Sequence, residues 1–259
     1  MNQKIVVNPN YQSTENEVKN IIENYQNIHD YLVKGTRNSI KKTKLENGKI
    51  TTIKAFKIPN IINKFVYRFF RESKAARSYK YAKLLIDKGL KTPYPIAFVE
   101  NKSVISFLDS YYLCEFIKDD FTYREVVHTP NFPDFENVLR QFTKFTFDLH
   151  EAGIEFLDHS PGNTLIIDLK NGNYDFYLVD LNRMKFHQEM TLEQRINNFI
   201  RLTPYKESVE IMADEYAKLY KKDKKLVFDL MWNGTEEFQQ KFHKKQARKK
   251  KLKALIGKK

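Results

Sequence analysis

Cysteine, glycine and long apolar runs are all scarce in this sequence. A single cysteine, Cys114, excludes an internal disulfide and leaves no thiolate cluster for a zinc site. So little cysteine is typical of a reducing compartment, and we therefore expect a cytoplasmic protein. No window approaches the roughly 18 apolar residues that a membrane-spanning helix requires. The opening residues 2–12 also lack the apolar segment of a secretory signal peptide.

Aromatic and charged residues, by contrast, are abundant. Apolar residues make up 41% of the chain and include 20 Phe and 15 Tyr, which excludes a disordered chain and predicts a folded globular protein. The 45 basic residues outnumber the 32 acidic ones and give a net charge of +13. Such a charge favours a polyanionic partner, either nucleic acid or an acidic membrane surface.

Most of this positive charge lies in one segment, residues 241–259, which we call the basic tail. It holds ten Lys or Arg and no acid, so the first 240 residues contain 35 basic against 32 acidic residues. Phe238, Phe242, Leu252 and Ile256 fall near one side of a helix drawn through it, which favours a helix lying on an anionic membrane. Non-specific RNA binding and a solubilising tail are the alternatives, and no specific nucleic-acid partner is expected.

The pattern of apolar residues predicts two differently built halves. The first half reads as a helix within 16–31, strands at 31–34, 39–45 and 50–58, a helix from about 61 to 88, and strands at 96–99, 104–107 and 111–117. The second reads as a helix over 135–149, a polar loop, a hairpin formed by 164–169 and 175–179, and helices to the end. This order predicts an α+β, two-lobed protein kinase-like fold. We expect lobes over 1–115 and 116–240, followed by the basic tail.

Three polar residues stand where such a fold performs phosphoryl transfer. The reaction needs a carboxylate that takes the acceptor's proton, then an Asn and a second Asp that hold Mg²⁺ at the phosphates. Asp158, Asn163 and Asp180 have this order, which makes Asp158 the candidate catalytic base and the other two the candidate Mg²⁺ ligands. The same Asp-x4-Asn spacing recurs at Asp168 and Asn173, but inside the hairpin. An ordinary polar turn is the alternative for the loop around Asp158.

Four further residues are candidates for binding ATP. A kinase needs a cation on its third strand, and Lys54 occupies that place, with Lys57 on the opposite face as the alternative. Gly35 and Arg37 belong to the hairpin that would cover the phosphates, although a solvated hairpin is equally consistent with them. The backbone around Glu115 falls where the two lobes should hinge, so we expect it to face the adenine; the Glu115 side chain can be purely structural.

Several longer motifs resemble one known family, the lipopolysaccharide-core kinases that act on Kdo and heptose, particularly Bacteroidetes-type members. The matching stretches are KGTRNSIK at 34–41, IKAFK at 53–57, RESKAARSY at 71–79, TPYPIA at 92–97, LDHSPGN at 157–163 and VDLNRM at 179–184. The resemblance implies an ATP- and Mg²⁺-dependent phosphotransferase with an alcohol acceptor, a Kdo or similar sugar on lipid A. It also implies work at the cytoplasmic face of the inner membrane and the roles given above for Asp158, Asn163, Asp180 and Lys54.

Some positions depart from the wider kinase pattern. The helix after the third strand should offer a Glu that orients the lysine, but Ser78 stands there and Glu72 is the nearest acidic substitute. Ser160 replaces the Lys that protein Ser/Thr kinases carry after the base, which disfavours a protein substrate. His159 is expected at the surface.

A basic cluster precedes and enters the long helix at three-residue spacing. Arg71, Lys74 and Arg77 would meet an anionic acceptor or lipid headgroups, or would form a solvated basic face. Two other functions stay open at this point. One is a small-molecule kinase of the aminoglycoside or choline type, and the other is a pseudokinase binding module, suggested by the missing Glu and the single-glycine hairpin.

Overall fold

The structure is a computed structural model and describes residues 2–35, 38–56, 64, 67 and 71–256, with the backbone alone at 38, 253, 255 and 256. The chain forms two compact units. The first contains residues 1–118 and 177–183, and the second contains 119–176 and 184–259. The sequence-based boundary at 115 lies close to the division after Lys118, but the return of 177–183 to the first unit has no counterpart in the predicted division.

The first unit is built on a six-stranded antiparallel sheet. Its strands are β1 (Asn2–Val7), β2 (Tyr31–Lys34), β3 (Asn38–Lys44), β4 (Ile50–Phe56), β5 (Pro95–Lys102) and β6 (Phe107–Glu115). They lie in the order β1-β5-β6-β4-β3-β2. Helix α1 (Glu15–Glu23) precedes β2, and helix α2 (Lys74–Asp87) lies between β4 and β5.

Each face of this sheet is covered by a different helix. Val18 and Ile22 of α1 pack with Ile53 of β4 and Leu113 of β6 in one apolar cluster. On the other face, the ring of Tyr79 on α2 lies 5.4 Å from that of Phe98 on β5. Strand alternation separates the two faces, because neighbouring residues of a strand project in opposite directions.

The long helix predicted from about 61 to 88 is interrupted: residues 64 and 67 are helical, residues 71–73 are not, and a helix begins at Lys74. Residues 57–63, 65, 66 and 68–70 lie outside the described residues, including the alternative cation Lys57. From residue 71 onward, the helix begins only at Lys74. Ser73 has an extended backbone, with ψ 162°, and its Oγ accepts a hydrogen bond from the Ala76 N–H at 3.0 Å. This is the geometry of a helix N-cap, so the helix starts here.

The predicted strand at 104–107 is wrong. Ser103 and Ser106 form a tight turn, in which the Ser103 N–H donates to the Ser106 carbonyl at 2.8 Å and the Ser106 N–H donates to the Ser103 hydroxyl at 2.9 Å. Strand β6 begins only at Phe107. The apolar Val104 and Ile105 are exposed at the tip of this turn, so their hydrophobicity is not a strand signal.

The second unit is mainly helical and also contains short strands, of which β10 crosses the division, since its last two residues belong to the first unit. Its elements are β7 (Phe121–Thr122), α3 (Tyr123–His128), α4 (Phe135–Glu151), β8 (Ile154–Phe156), β9 (Thr164–Asp168), β10 (Tyr174–Leu178), β11 (Met184–Phe186), α5 (Leu192–Asn197), α6 (Lys206–Tyr220) and α7 (Lys224–Ile256). The hairpin predicted near 164–179 is present as β9 and β10. The expectation of helix alone after Asp180 is wrong, since β11 pairs antiparallel with β8.

One glycine makes the β8–β11 pairing possible. Gly153 follows α4 with φ +74°, a backbone conformation that favours glycine. A Cβ atom at this position would lie 2.1 Å from the carbonyl oxygen of His187. The backbone of His187 also forms a hydrogen bond to Gly153, because the His187 N–H donates to the Gly153 carbonyl at 2.8 Å.

Helix α7 continues into the basic tail as far as Ile256. Helical conformation was expected for this segment, and every residue from Lys241 to Leu252 is exposed. Phe242 and Leu252 are 45% and 60% exposed, and the ring of Phe242 lies 6.2 Å from that of Phe238 one turn earlier on the same helix. No helix in the described ranges is both long enough and apolar enough to cross a membrane.

Candidate active site

Lys54 and Asp180, two of the predicted site residues, are in direct contact in the first unit. Nζ of Lys54 lies 2.6 Å from Oδ1 of Asp180. The Lys54 side chain is 12% exposed and that of Asp180 is 34% exposed, so water screens the ion pair only in part. This contact joins the predicted phosphate-holding cation to a predicted Mg²⁺ ligand.

Strand pairing determines the position of Lys54. It lies opposite Ile40 on β3 and opposite Tyr112 on β6, and Tyr112 in turn lies opposite Phe98 on β5. Residues directly opposite one another in a sheet project on the same face. Because Phe98 contacts Tyr79 of α2, Lys54 belongs to the face that α2 covers.

Asp180 is held by the short segment 177–183. The Leu178 N–H donates to the Lys91 carbonyl at 3.1 Å, and the Thr92 hydroxyl donates to the Leu178 carbonyl at 2.7 Å. Asp180 itself has φ +62°, a left-handed conformation that Asp adopts more readily than most residues. The Asn182 amide donates to Oδ1 of Asp180 at 2.5 Å and fixes the carboxylate further.

The lysine–glutamate pair expected from the wider kinase pattern has no equivalent on α2. That helix contains no glutamate. Ser78, which stands at the expected position, is buried, and its hydroxyl has no hydrogen-bond partner. The substitute Glu72 lies 3.6 Å from Lys80 instead, with both side chains more than half exposed. Among the described side chains, Asp180 is the carboxylate that pairs with Lys54.

The predicted adenine-facing stretch ends strand β6. The Glu115 carboxylate accepts hydrogen bonds from Lys49 Nζ at 2.7 Å and from the Tyr11 hydroxyl. Burial alone would raise the pKa of Glu115, but the two donors outweigh it and hold the pKa below its ordinary value. The Glu115 N–H donates to the Tyr94 carbonyl at 2.9 Å. The side chain of Glu115 is thus a structural contact with the N-terminal segment.

Backbone groups on either side of Glu115 are also engaged. The Phe116 N–H donates to the Ile50 carbonyl at 2.9 Å, and the Cys114 carbonyl accepts from the Thr51 hydroxyl at 2.9 Å. Burial raises the pKa of the Cys114 thiol to about 12, so this cysteine is an inert packing residue. Gly35 is exposed directly after β2, and Arg37 lies outside the described residues.

Asp158 and Asn163 are brought together in the second unit by the loop that follows β8. The Asn163 amide nitrogen donates to the Asp158 carbonyl at 2.8 Å. The His159 N–H donates to the Phe156 carbonyl and the Asn163 N–H donates to the Ser160 carbonyl, each at 3.0 Å. These bonds give the polar loop a fixed shape, and because the amide nitrogen of Asn163 is a donor here, its amide oxygen is the atom able to bind a cation.

His159 is buried, and its predicted surface position is therefore wrong. It is 1% exposed, lies between the rings of Phe142 and Phe156 at 5.5 and 5.6 Å, and has no hydrogen-bond partner at either ring nitrogen. Burial lowers the pKa of His159 to about 3, so the ring is neutral at physiological pH. It supports the loop around Asp158 by packing against Phe142 and Phe156.

Sequence reasoning missed two arginines that border this loop. Arg201 Nη1 lies 3.9 Å from Oδ1 of Asp158 and donates to the Leu157 carbonyl at 3.2 Å. On the other side, a Cβ added to Gly162 would lie 2.7 Å from Nη2 of Arg124, so this guanidinium touches the loop glycine. Neither arginine belongs to a local motif, and only the folded second unit places Arg201 beside the candidate base and Arg124 against the loop glycine.

The polar residues fit Mg²⁺ bound together with phosphate better than a metal held by protein alone. In the described ranges, no three His, Cys, Asp or Glu side chains form a possible metal cluster. Mg²⁺ commonly keeps several waters and takes one or two carboxylates plus substrate phosphates. The carboxylate of Asp180 and the amide oxygen of Asn163 are donors of this kind.

The fold of this chain is similar to that of a solved structure, although no similarity in sequence accompanies it. No family model matches the chain, and no curated protein matches it in sequence. A structure of WaaP in complex with acyl carrier protein is similar at a TM-score of 0.61 and 12% identity, over 93% of this chain and 98% of that chain. The Rio2 kinase–ADP/Mg²⁺–phosphoaspartate complex from Chaetomium thermophilum gives a TM-score of 0.44 at 14% identity, over 83% and 65% of the two chains. The chain has a WaaP-like protein kinase-like fold, which confirms the α+β fold class predicted from the sequence.

Proposed function

We propose that this protein is an ATP-dependent kinase that phosphorylates a hydroxyl of a lipid-linked sugar, a Kdo or similar residue of the lipopolysaccharide inner core. The observation that carries the proposal is the 2.6 Å ion pair between Lys54 and Asp180 on a WaaP-like fold. These residue types, on strand β4 and after the β9–β10 hairpin, are the ones that phosphoryl transfer requires. The motifs shared with lipopolysaccharide-core kinases supply the substrate class.

Each site residue has a defined role in this reaction. Lys54 binds the α- and β-phosphates of ATP, and Gly35 and Arg37 stay candidates for phosphate binding on sequence grounds alone, since Arg37 lies outside the described residues. Asp180 and Asn163 would be the residues that hold Mg²⁺, and the ion would supply charge neutralisation at the phosphates. Asp158 orients the acceptor hydroxyl and takes its proton as the oxygen attacks phosphorus. Positioning and electrostatic stabilisation provide the acceleration, because phosphoryl transfer needs little covalent chemistry from the protein.

The arginines around the catalytic loop support an anionic acceptor. A cationic aminoglycoside or choline would be repelled by Arg201, which lies 3.9 Å from Asp158, and by Arg124 at Gly162. An acidic sugar such as Kdo, or a phosphate on lipid A, would be attracted by the same charges. This electrostatic environment favours the lipopolysaccharide acceptor over the small-molecule alternative.

The basic tail provides a means of reaching a lipid-linked acceptor. Its lysines and arginines are exposed on α7 wherever their side chains are described. At about 1 kcal/mol for each basic residue near an acidic leaflet, half of the tail's charges would give salt-sensitive adsorption. We therefore assign the protein to the cytoplasmic face of the inner membrane as a peripheral protein. Flotation of the full chain and of a chain ending at residue 240 with anionic liposomes, at low and high salt, tests this assignment.

The catalytic assignment is tested by one pair of variants. Asp158→Ala should abolish phosphate transfer from ATP while leaving Mg-ATP binding intact, because Asp158 acts on the acceptor. Asp168→Ala is the matched control, since Asp168 has the same Asp-x4-Asn spacing but bonds Lys170 within the hairpin. Near-normal transfer by Asp158→Ala would refute the proposed base. Failure of the unmodified protein to bind Mg-ATP at millimolar concentration would instead identify a pseudokinase.

A further inference from the structure

A cavity of about 480 Å³ lies in the first unit, apart from Lys54 and Asp180. Strands β1 and β5, the start of α2 and Tyr67 form its walls. Tyr79 and Phe98 provide an apolar surface, and they are themselves largely buried against each other. The volume is within the range of pockets that hold small metabolites.

Positive charge dominates the walls of this cavity. They contain the four cations Lys4, Arg71, Lys80 and Lys102, and the two acids Glu72 and Glu100. Each acid pairs with one lysine: Lys102 lies 2.7 Å from Glu100, and Lys80 lies 3.6 Å from Glu72. The cavity's own acids therefore leave about two positive charges uncompensated.

The two remaining cations lie against aromatic rings. Nζ of Lys4 is 5.6 Å from the centroid of Phe98, and the guanidinium carbon of Arg71 is 5.5 Å from that of Tyr67. A ring face attracts a cation but accepts no strong hydrogen bond, so the N–H donors of both groups can still serve an anion.

Arg77, one of the basic residues singled out in the sequence, adds a second indication of excess positive potential. It is 9% exposed, and its Nε has no hydrogen-bond partner. Burial and then the charge of Arg71 lower the pKa of Arg77. Arg77 does not line the cavity, but its guanidinium repels that of Arg71, which does, and an anion bound at Arg71 would weaken this repulsion.

We propose that this cavity binds a small phosphomonoester whose organic part is apolar or planar. A phosphomonoester carries a charge of about −1.5 to −2 at neutral pH, which matches the two uncompensated cations. Its phosphate oxygens accept hydrogen bonds from the N–H groups of Lys4 and Arg71. Its organic part lies on Tyr79 and Phe98. The site is independent of the proposed kinase reaction, because none of its residues has a role in that reaction.

Calorimetric titration with phenyl phosphate tests the site, using the full-length protein at low salt. We expect saturable binding below about 10 mM, and weaker binding of glycerol 3-phosphate, which has the charge but no ring. The double variant Lys4→Ala, Arg71→Ala should weaken phenyl phosphate binding at least tenfold, because it removes both charged donors. The absence of saturable binding, or equal affinity in this variant, would overturn the proposal.

A control variant separates the site from general charge effects. The double variant Lys19→Ala, Lys83→Ala removes the same number of positive charges from exposed side chains of the first unit. Neither lysine lines the cavity, so the affinity for phenyl phosphate should stay within twofold. Lys54→Ala distinguishes the cavity from the proposed nucleotide site. Binding that persists in Lys54→Ala supports the proposal, and binding lost there but retained in Lys4→Ala, Arg71→Ala refutes it.

Discussion

The buried histidine next to the candidate base makes the second unit sensitive to acid. His159 is neutral and enclosed by Phe142 and Phe156, and burial lowers its pKa to about 3. An unfolded histidine titrates near pH 6.5. Because the pKa in the folded state is the lower one, the stability associated with the neutral ring is complete above pH 6.5. It is lost as the pH falls from 6.5 towards 3.

The size of this effect follows from the gap between the two pKa values. At pH 5 the histidine of the unfolded chain is protonated and that of the folded protein is not. Because pH 5 lies about 1.5 units below the pKa of the unfolded histidine, the free energy of unfolding falls by about 2 kcal/mol. His150 is also buried, with its pKa lowered by burial and by His159, and contributes in the same direction. A comparison of variants is therefore needed to isolate His159.

We expect His159→Leu to flatten the pH dependence of unfolding. Urea titrations at pH 7 and pH 5, followed by the fluorescence of Trp232, report on the core that contains Phe142. Between these pH values the wild type should lose about 2 kcal/mol more free energy of unfolding than the variant. His29→Leu, which removes an exposed histidine, is the control and should behave as the wild type. An equal loss in wild type and His159→Leu would show that the ring is protonated in the folded state and would refute the reasoning.

Three further substitutions have clear expected results. Gly153→Ala should lower the free energy of unfolding by more than about 3 kcal/mol in the same urea titration, because a carbonyl oxygen would lie 2.1 Å from the new Cβ. Its control is Gly172→Ala, which has a similar φ of +78° but open space, and which should lower the free energy of unfolding by only about 1 kcal/mol. Lys54→Met should remove the rise in melting temperature that Mg-ATP produces, because the phosphate-binding cation is gone; an undiminished rise would argue against its role. Arg201→Ala should lower kcat/KM for an anionic acceptor about tenfold or more without altering Mg-ATP binding, and an unchanged kcat/KM would remove Arg201 from acceptor recognition.

Local patterns predicted much of the first unit and the order of the site residues. The strand at 50–56 has alternating burial, so Lys54 could be placed on it before its contact with Asp180 was known. The start of α2 was missed because Ser73 lies within an apolar pattern that runs on from residue 61. Strand β1 was missed because its stability depends on pairing with β5, which is distant in the sequence.

The residues missed in the site share this dependence on distant contacts. His159 reads as a surface histidine in a polar loop, and only the packing of α4 against that loop buries it. Arg201 follows α5 and carries no motif, yet the fold places it beside Asp158. Sequence patterns identify residues such as Asp158, whose neighbours in the chain mark their role. Charged side chains such as Arg201, which lie near the site only after folding, cannot be recognised in this way.

Phosphate transfer to lipid-linked Kdo is the most direct test of the central claim. Kdo–lipid A is incubated with Mg-ATP and the full-length protein, and the purified acceptor is then examined by ³¹P NMR. The account predicts one new phosphomonoester signal on the sugar, absent with Asp158→Ala and present with Asp168→Ala. An acceptor that stays unmodified, although the protein binds Mg-ATP, would contradict the proposed activity.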